Sequence, residues 1–433
     1  MKTTILKILV LLFVVAPVSL MAESAGEKNS IAGDYTLLVT GYDWGPGVNK
    51  VILSMEEEVV EAKANDFSVT VERSAAGVEM RAEEVGGDRK VVYAYVSDAK
   101  GNRIAKGNHV TLVLFVSPDD ALGSPIKYIF QNGRGSNQWI DYKMTITHRT
   151  SEKVWNEETG RIMPALDKFD LNGTFSQNGI ALTYASFAPQ ITDGKSPLLI
   201  WLHGGGEGGT DPSIALIANK VTNYASDEIQ AIFGGAHVLV PQSPTFWMQK
   251  AGGDYTRGNE NDIYNAALMG LIHKYVAENP TVDTNRIYIG GCSNGGYMSL
   301  KLLLLHPDYF AAGYISALAY HEKYITDKQV ESIKNIPIWF VHSKDDRVTI
   351  PEETVVPLYH RLMKTGAPNI HFSFYNNVID LSGVYGGEDY HFNGHWSWIY
   401  SHVNHADFDF DGNPVTVDGK SMSLMEWMAK QSK

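Results

Sequence analysis

The stretch Arg286-Ile287-Tyr288-Ile289-Gly290-Gly291-Cys292-Ser293-Asn294-Gly295-Gly296 decides the fold. Arg286–Ile289 has strand composition, the glycines make a turn, and Tyr297–Leu305 reads as a helix stopped by Pro307. The G-x-S-x-G pentapeptide from Gly291 to Gly295 therefore lies between a strand and a helix, the setting of a nucleophile elbow. Such a turn is so sharp that a side chain two residues before or after the serine would collide with it, which is why glycine stands there. The helix start behind Ser293 offers free N–H groups and a positive dipole end to developing negative charge. The competing reading, a plain Gly-rich turn, accounts for the glycines and leaves the serine without a role.

Working outward, continuous apolar runs recur at Pro197–Leu202, His237–Val240, Ala312–Leu318, Pro337–Val341 and Ile370–Phe374, with a helical stretch at Ile263–Val276. Apolar runs without alternation belong to strands covered on both faces. Residues 151–433, with 151–185 as a junction, thus predict a doubly wound, mostly parallel α/β sheet. Residues 30–150 are different in character. Short β-type runs follow one another at Tyr35–Tyr42, Lys50–Met55, Phe67–Glu72, Val91–Val96, Val110–Val116, Lys127–Phe130 and Trp139–Thr147, with turn residues between them. Seven such runs in about 115 residues predict an all-β immunoglobulin-like sandwich lacking the antibody cysteine pair.

The chain order of the motifs supplies candidate chemistry. His203-Gly204-Gly205-Gly206-Glu207-Gly208-Gly209 follows a predicted strand, and Gly205 and Asn294 are the candidate oxyanion-hole N–H donors. No phosphate-loop register fits these glycines. His203 reads as a brace for the loop. Past the strand Pro337–Val341, Asp345 and Asp346 offer an acid, with Asp346 preferred. His395, in Asn393-Gly394-His395-Trp396-Ser397-Trp398, is the candidate base, while His391, His402 and His405 read as ordinary surface or core histidines. The order Ser293, Asp346, His395 suits acyl transfer through a serine nucleophile. Cys292 occupies the position before the apex and reads as a buried filler. Trp247, Tyr255, Trp396 and Trp398 are candidate aromatic cleft residues, Trp247 and Trp396 foremost as substrate contacts, and 376–393 is a candidate lid or cleft wall. No metal spacing and no cofactor motif is present in the sequence.

Composition narrows the setting. Of 433 residues, 44% are hydrophobic and 20% charged, which excludes disorder, collagen and coiled coil. Lys2, Lys7, the apolar run Ile8 to Met21 and Ala22 read as a signal peptide over 1–22, so export to a periplasmic or extracellular location is expected, with no integral membrane segment after processing. Its removal takes away two lysines and no acid, moving the net charge from −13 to −15. That charge speaks against nucleic-acid partners. Cys292 is the lone cysteine, so no intramolecular disulfide forms. The sequence does not specify an oligomeric state.

The elbow Gly291–Tyr297, the loop His203–Gly209, the segment His342–Val348 and Gly394–Trp398 together resemble secreted α/β-hydrolases of the predicted-peptidase or prolyl-oligopeptidase-like group. Gly41-Tyr42-Asp43-Trp44-Gly45-Pro46 adds a resemblance to bacterial esterases with an N-terminal immunoglobulin-like domain. The resemblance implies hydrolysis of aryl, acetyl or feruloyl-type carboxylic esters, as small molecules or linked to polysaccharide. Gly208 departs from the arginine that relatives carry there. The alternatives are a serine peptidase using the same residues and a non-catalytic carbohydrate- or surface-binding protein.

Overall fold

In the strand Ser196–Leu202, Leu198, Ile200 and Leu202 enter one core while Leu199 and Trp201 enter the other, and every residue is buried. Two buried faces leave no place for polar alternation, hence the unbroken apolar run. In the computed structural model, which describes residues 33–131, 133–190 and 194–433, this strand sits inside an eight-stranded sheet. The order is Asp170–Gln177, Ile180–Phe187, His237–Gln242, Ser196–Leu202, Val282–Cys292, Ala312–Ser316, Ile338–Ser343 and Ile370–Tyr375. The first two pairings are antiparallel and the remaining five parallel. The helices Asn265–Glu278, Asn294–Leu305 and Val355–Lys364 cover one face. Pro212–Ile217, Asp227–Phe233 and Leu424–Ala429 cover the other. This is the α/β-hydrolase sheet that the sequence predicts, with two antiparallel strands added from the expected junction.

The N-terminal part is immunoglobulin-like. Its strands run in the hydrogen-bonded order Gly86–Asp88, Phe67–Ser74, Asp141–His148, Val154–Ile162, Gly33–Tyr42, Gly45–Val59, Gly107–Leu114 and Val91–Ser97. Phe67–Ser74 and Val91–Ser97, near opposite ends of that order, come into contact across a core of Leu37, Val39, Val51, Val71, Leu112 and Met144.

Two expectations are corrected. Val154–Ile162 pairs in parallel with Gly33–Tyr42, so this sheet continues past residue 150, fastened by buried Trp155, whose Nε1 donates to the Ser54 carbonyl at 2.8 Å. The run Lys127–Phe130 is no strand of the main sheet. Ile126–Gln131 and Arg134–Trp139 form a separate ribbon whose Ile126 packs on Ile214 and Ala218 of the hydrolase domain. Ala32–Lys433 form one compact unit. The signal segment 1–22 lies outside the described residues, and among those no helix is long and apolar enough to cross a membrane.

Candidate active site

The strand Val282–Cys292 ends at Ser293, which takes φ 52° and ψ −111°, and the helix Asn294–Leu305 starts at once. A non-glycine residue in that conformation is strained, and strain of this kind persists only where the surroundings impose it. The Ser293 N–H donates to the Ser316 carbonyl at 2.9 Å, and the Tyr297 N–H donates to the Ser293 carbonyl at 2.9 Å. A Cβ at Gly295 would stand 1.9 Å from the Leu202 carbonyl oxygen, and one at Gly291 would stand 2.6 Å from the Gly295 carbonyl. Both glycines are required by backbone contact. Cys292 is buried beneath the turn, where burial pushes its thiol well up, so it serves as packing.

Ser293 Oγ lies 3.0 Å from His395 Nε2, and His395 Nδ1 lies 2.8 Å from Asp346 Oδ2. The three candidates, separated by up to 102 residues in the chain, thus form one hydrogen-bonded chain. His395 is presented by the short turn Gly394–Trp396, capped by the Asn393 side chain, which accepts from the His395 N–H at 3.0 Å. Asp346 Oδ1 accepts from the backbone N–H groups of Val348 at 2.7 Å and Thr349 at 3.0 Å. Oδ2 also accepts from Thr349 Oγ1 at 2.8 Å and faces His342 Nε2 at 3.1 Å. Burial pushes the Asp346 carboxyl up, but the hydrogen bonds from His342 and His395 outweigh that and hold it far below the usual carboxylate range. Asp345 turns away and accepts from Ser343 Oγ. His402 is buried near Trp201, where burial pushes its imidazole down to about 3, and His391 is exposed.

Asn294 is the first residue of its helix and Gly205 the first of the turn Gly205–Glu207, so neither N–H has a partner within its own helix. Both line the cleft beside Ser293. The Asn294 side chain is occupied elsewhere, accepting from the Met248 N–H at 3.0 Å. His203 braces the loop: Nδ1 donates to the Gly204 carbonyl at 2.6 Å, and Nε2 accepts from the Ser243 N–H at 3.1 Å. Burial pushes this ring down to about 4, in keeping with a neutral brace.

The immunoglobulin-like domain builds part of the site, which sequence reasoning did not anticipate. Arg134 donates to the Gly208 carbonyl at 2.8 Å and the Pro244 carbonyl at 3.2 Å. A Cβ at Gly208 would fall 1.5 Å from the Thr245 carbonyl oxygen, so no side chain fits there, and the cation beside the loop comes from the ribbon instead. Asn137 Nδ2 donates at 2.9 Å to Glu207 Oε1, a carboxyl buried under the glycine loop and pushed up by that burial. Trp139 Nε1 donates to Ser213 Oγ at 3.0 Å, and Lys220 pairs with Asp43 at 2.7 Å. The one sequence signal was the Asp43-Trp44 turn, which does reach the cleft.

The cleft encloses about 760 Å³. Tyr128, Tyr255, Trp396, Trp398, Val348 and Ile350 are among its lining residues, and Tyr255 stacks on Phe246 at 3.8 Å. Trp247 is a correction. It is fully buried and packs beneath the cleft against His203 and Tyr264, because the chain turns it inward while Met248 and Tyr255 line the cleft. The segment 376–393 is also not a lid, since Asn393 alone of it lines the cleft. It docks on the immunoglobulin-like domain, where Tyr390 donates to Asp119 at 3.0 Å and Tyr385 meets Trp44 edge-on.

Comparison with known proteins agrees with this architecture. Residues 34–160 match the esterase Ig-like N-terminal domain, and residues 247–324, which hold the elbow, match the prolyl oligopeptidase family. A structure titled as that of a thermostable esterase superposes with a TM-score of 0.70 at 23% identity, covering 92% of this chain and 99% of that one. Two curated relatives are probable dipeptidyl-aminopeptidases B. The one from Talaromyces marneffei is 23% identical over 53% of this chain, and the one from Talaromyces stipitatus is 22% identical over 62%. The matched stretches span only 25% and 30% of those relatives' own lengths.

Proposed function

We propose that this chain, with an esterase-type immunoglobulin-like domain ahead of a hydrolase domain bearing a prolyl oligopeptidase family segment, is an exported serine hydrolase that cleaves carboxylic esters through an acyl-enzyme. The observation that carries the reading is Ser293, held at φ 52° with Oγ 3.0 Å from His395 Nε2. As Oγ attacks the ester carbonyl, His395 Nε2 takes the hydroxyl proton and then passes it to the departing alcohol oxygen. Asp346 keeps the Nδ1–H tautomer facing it and offsets the imidazolium charge. The oxyanion is received by the N–H groups of Asn294 and Gly205. Water then attacks the acyl-enzyme by the same route, releasing the acid and restoring Ser293.

An ester substrate is favoured over the amino-terminal end of a peptide by the scarcity of free carboxylates in the cleft. A peptide α-ammonium needs a free carboxylate to hold it. Of the carboxylates lining the cleft, Asp43 is paired with Lys220 and Glu207 is buried against Asn137, which leaves Glu353, exposed beside His321 at 3.5 Å, open to such a group. The aromatic and aliphatic side chains in the mixed lining, Tyr128, Tyr255, Trp396 and Trp398 among them, suit an aryl or alkyl acyl group. Purified protein is to be tested on p-nitrophenyl acetate and butyrate, methyl ferulate and a panel of peptide amides, beside Ser293→Ala. Ester turnover abolished by Ser293→Ala is the expected result. Efficient cleavage of the peptides without the esters would replace the esterase reading with a peptidase one.

A further inference from the structure

The acid of the site is shared between two histidines, and only one of them has a role in the chemistry above. His342 is the penultimate residue of the strand Ile338–Ser343 and is completely buried. Its Nε2 lies 2.9 Å from the Thr349 carbonyl oxygen and 3.1 Å from Asp346 Oδ2. Both neighbours are acceptors, so the proton resides on Nε2 and is divided between them. Nδ1 is buried with no protein partner, and a second proton there would be a buried donor without an acceptor. The ring is therefore the neutral Nε2–H tautomer. The same carboxylate oxygen, Oδ2, receives His395 Nδ1 at 2.8 Å and Thr349 Oγ1 at 2.8 Å.

Three donors on one oxygen compete for its electron density. A carboxylate stabilised by more donors is a weaker base and holds a proton on the facing imidazole less firmly. We propose that His342 is a positioning residue for this site, a neutral donor that fixes the Asp346 carboxylate and, by taking part of its charge, limits how strongly that carboxylate favours protonation of His395. The proposal rests on the serine-hydrolase reading of the site. The groups facing His395 and Asp346 are few. Ser293 faces His395 from the elbow, and Thr349 and His342 face Asp346 from the acid loop and its strand. Glu207 on the glycine loop acts on His395 through space, and the Asp345 carboxylate abuts Gly394. Substituting His342 removes none of these other groups.

The test compares His342→Leu and His342→Gln with the wild type in the pH profile of kcat/KM for p-nitrophenyl butyrate. Leucine removes the donor while filling the volume. Its acid limb is expected to move to higher pH by on the order of half a unit. Its kcat should fall about tenfold, with KM nearly unchanged, because the carboxylate is less well held. Glutamine can still donate, so it should bring the limb back to the wild-type position and recover most of kcat. An unmoved limb in the leucine variant, a limb moved to lower pH, or identical profiles for leucine and glutamine would each overturn the proposal.

Should the leucine variant fold poorly, nitrogen-15 NMR of the wild-type histidines decides the tautomer directly. The proton of His342 is expected on Nε2, and an Nδ1–H form would overturn the proposal. Failure of the underlying hydrolase reading has a different signature, in which Ser293→Ala keeps wild-type turnover whatever His342 does.

Discussion

Replacing Asn137 with alanine removes the hydrogen bond that the immunoglobulin-like domain gives to the buried carboxyl of Glu207, and the cost of this change should depend on pH. Burial raises the Glu207 carboxyl above its ordinary 4.5, and among the influences that pull it back the bond from Asn137 comes first. The folded protein thus binds this proton more tightly than the unfolded chain does. The sign follows: the burial of Glu207 is tolerated best below the unfolded value, and stability is lost as the pH climbs toward the folded one. Without Asn137 the folded value rises further, so the loss grows with pH. With the carboxyl protonated, the variant forfeits a neutral hydrogen bond, about 1 kcal/mol. Once it is ionised, the missing bond is to a buried charge, and the loss becomes about 2–3 kcal/mol. Urea unfolding of both proteins at about pH 4 and about pH 8 measures the two values. A difference between wild type and variant that is the same at both pH values, or larger in acid, would refute the reasoning.

Asp346→Asn should lower kcat on the order of 10⁴-fold with the fold retained, because the amide can present a donor to His395 Nδ1 and stabilise the wrong tautomer. Asp345→Asn should change kcat by no more than about threefold; the reverse ranking would reassign the acid. Gly295→Ala places a methyl group 1.9 Å from the Leu202 carbonyl oxygen, on the strand that leads into the glycine loop. Its kcat should fall at least about a hundredfold, together with a lower Tm, and near-normal kinetics would mean that the elbow tolerates far more room than the structure gives it. Tyr128→Ala should raise KM for aryl esters about threefold to tenfold while leaving kcat and the acetate ester nearly unchanged, the pattern of lost uniform binding. A fall in kcat with KM constant would place Tyr128 in the transition-state contacts instead.

The elbow was legible because its constraints are local. A sharp turn demands glycine at Gly291 and Gly295 on backbone grounds alone, and the ordering of Asp346 and His395 behind two strand ends follows from chain direction in a parallel sheet. The alternating and unbroken apolar runs likewise record which faces are buried. What escaped the sequence depends on segments far apart in the chain. Arg134 and Asn137 meet the glycine loop across 74 and 70 residues of chain. No periodicity in the ribbon marks it as part of a catalytic wall rather than a strand of the sandwich. Trp247 read as a cleft residue because a tryptophan in a strand-end loop suits a binding wall and a core equally well, and only the direction of the chain between Phe246 and Met248 decides between them. The segment 376–393 has the glycines and tyrosines of a mobile cover, yet its tyrosines are spent on Asp119 and Trp44. His342 was hidden in plain sight within the acid segment, since its role depends on which way its ring points at the end of a buried strand.

The central claim is that Ser293 is the nucleophile. Incubation with a p-nitrophenyl alkylphosphonate followed by peptide mass mapping tests it most directly. The account predicts one phosphonyl group per chain on the peptide containing Ser293, loss of ester hydrolysis in step with labelling, no labelling of Ser293→Ala and greatly slowed labelling of His395→Ala. Inactivation with the label on another residue, Cys292 included, or ester turnover that continues with Ser293 fully labelled, would contradict it.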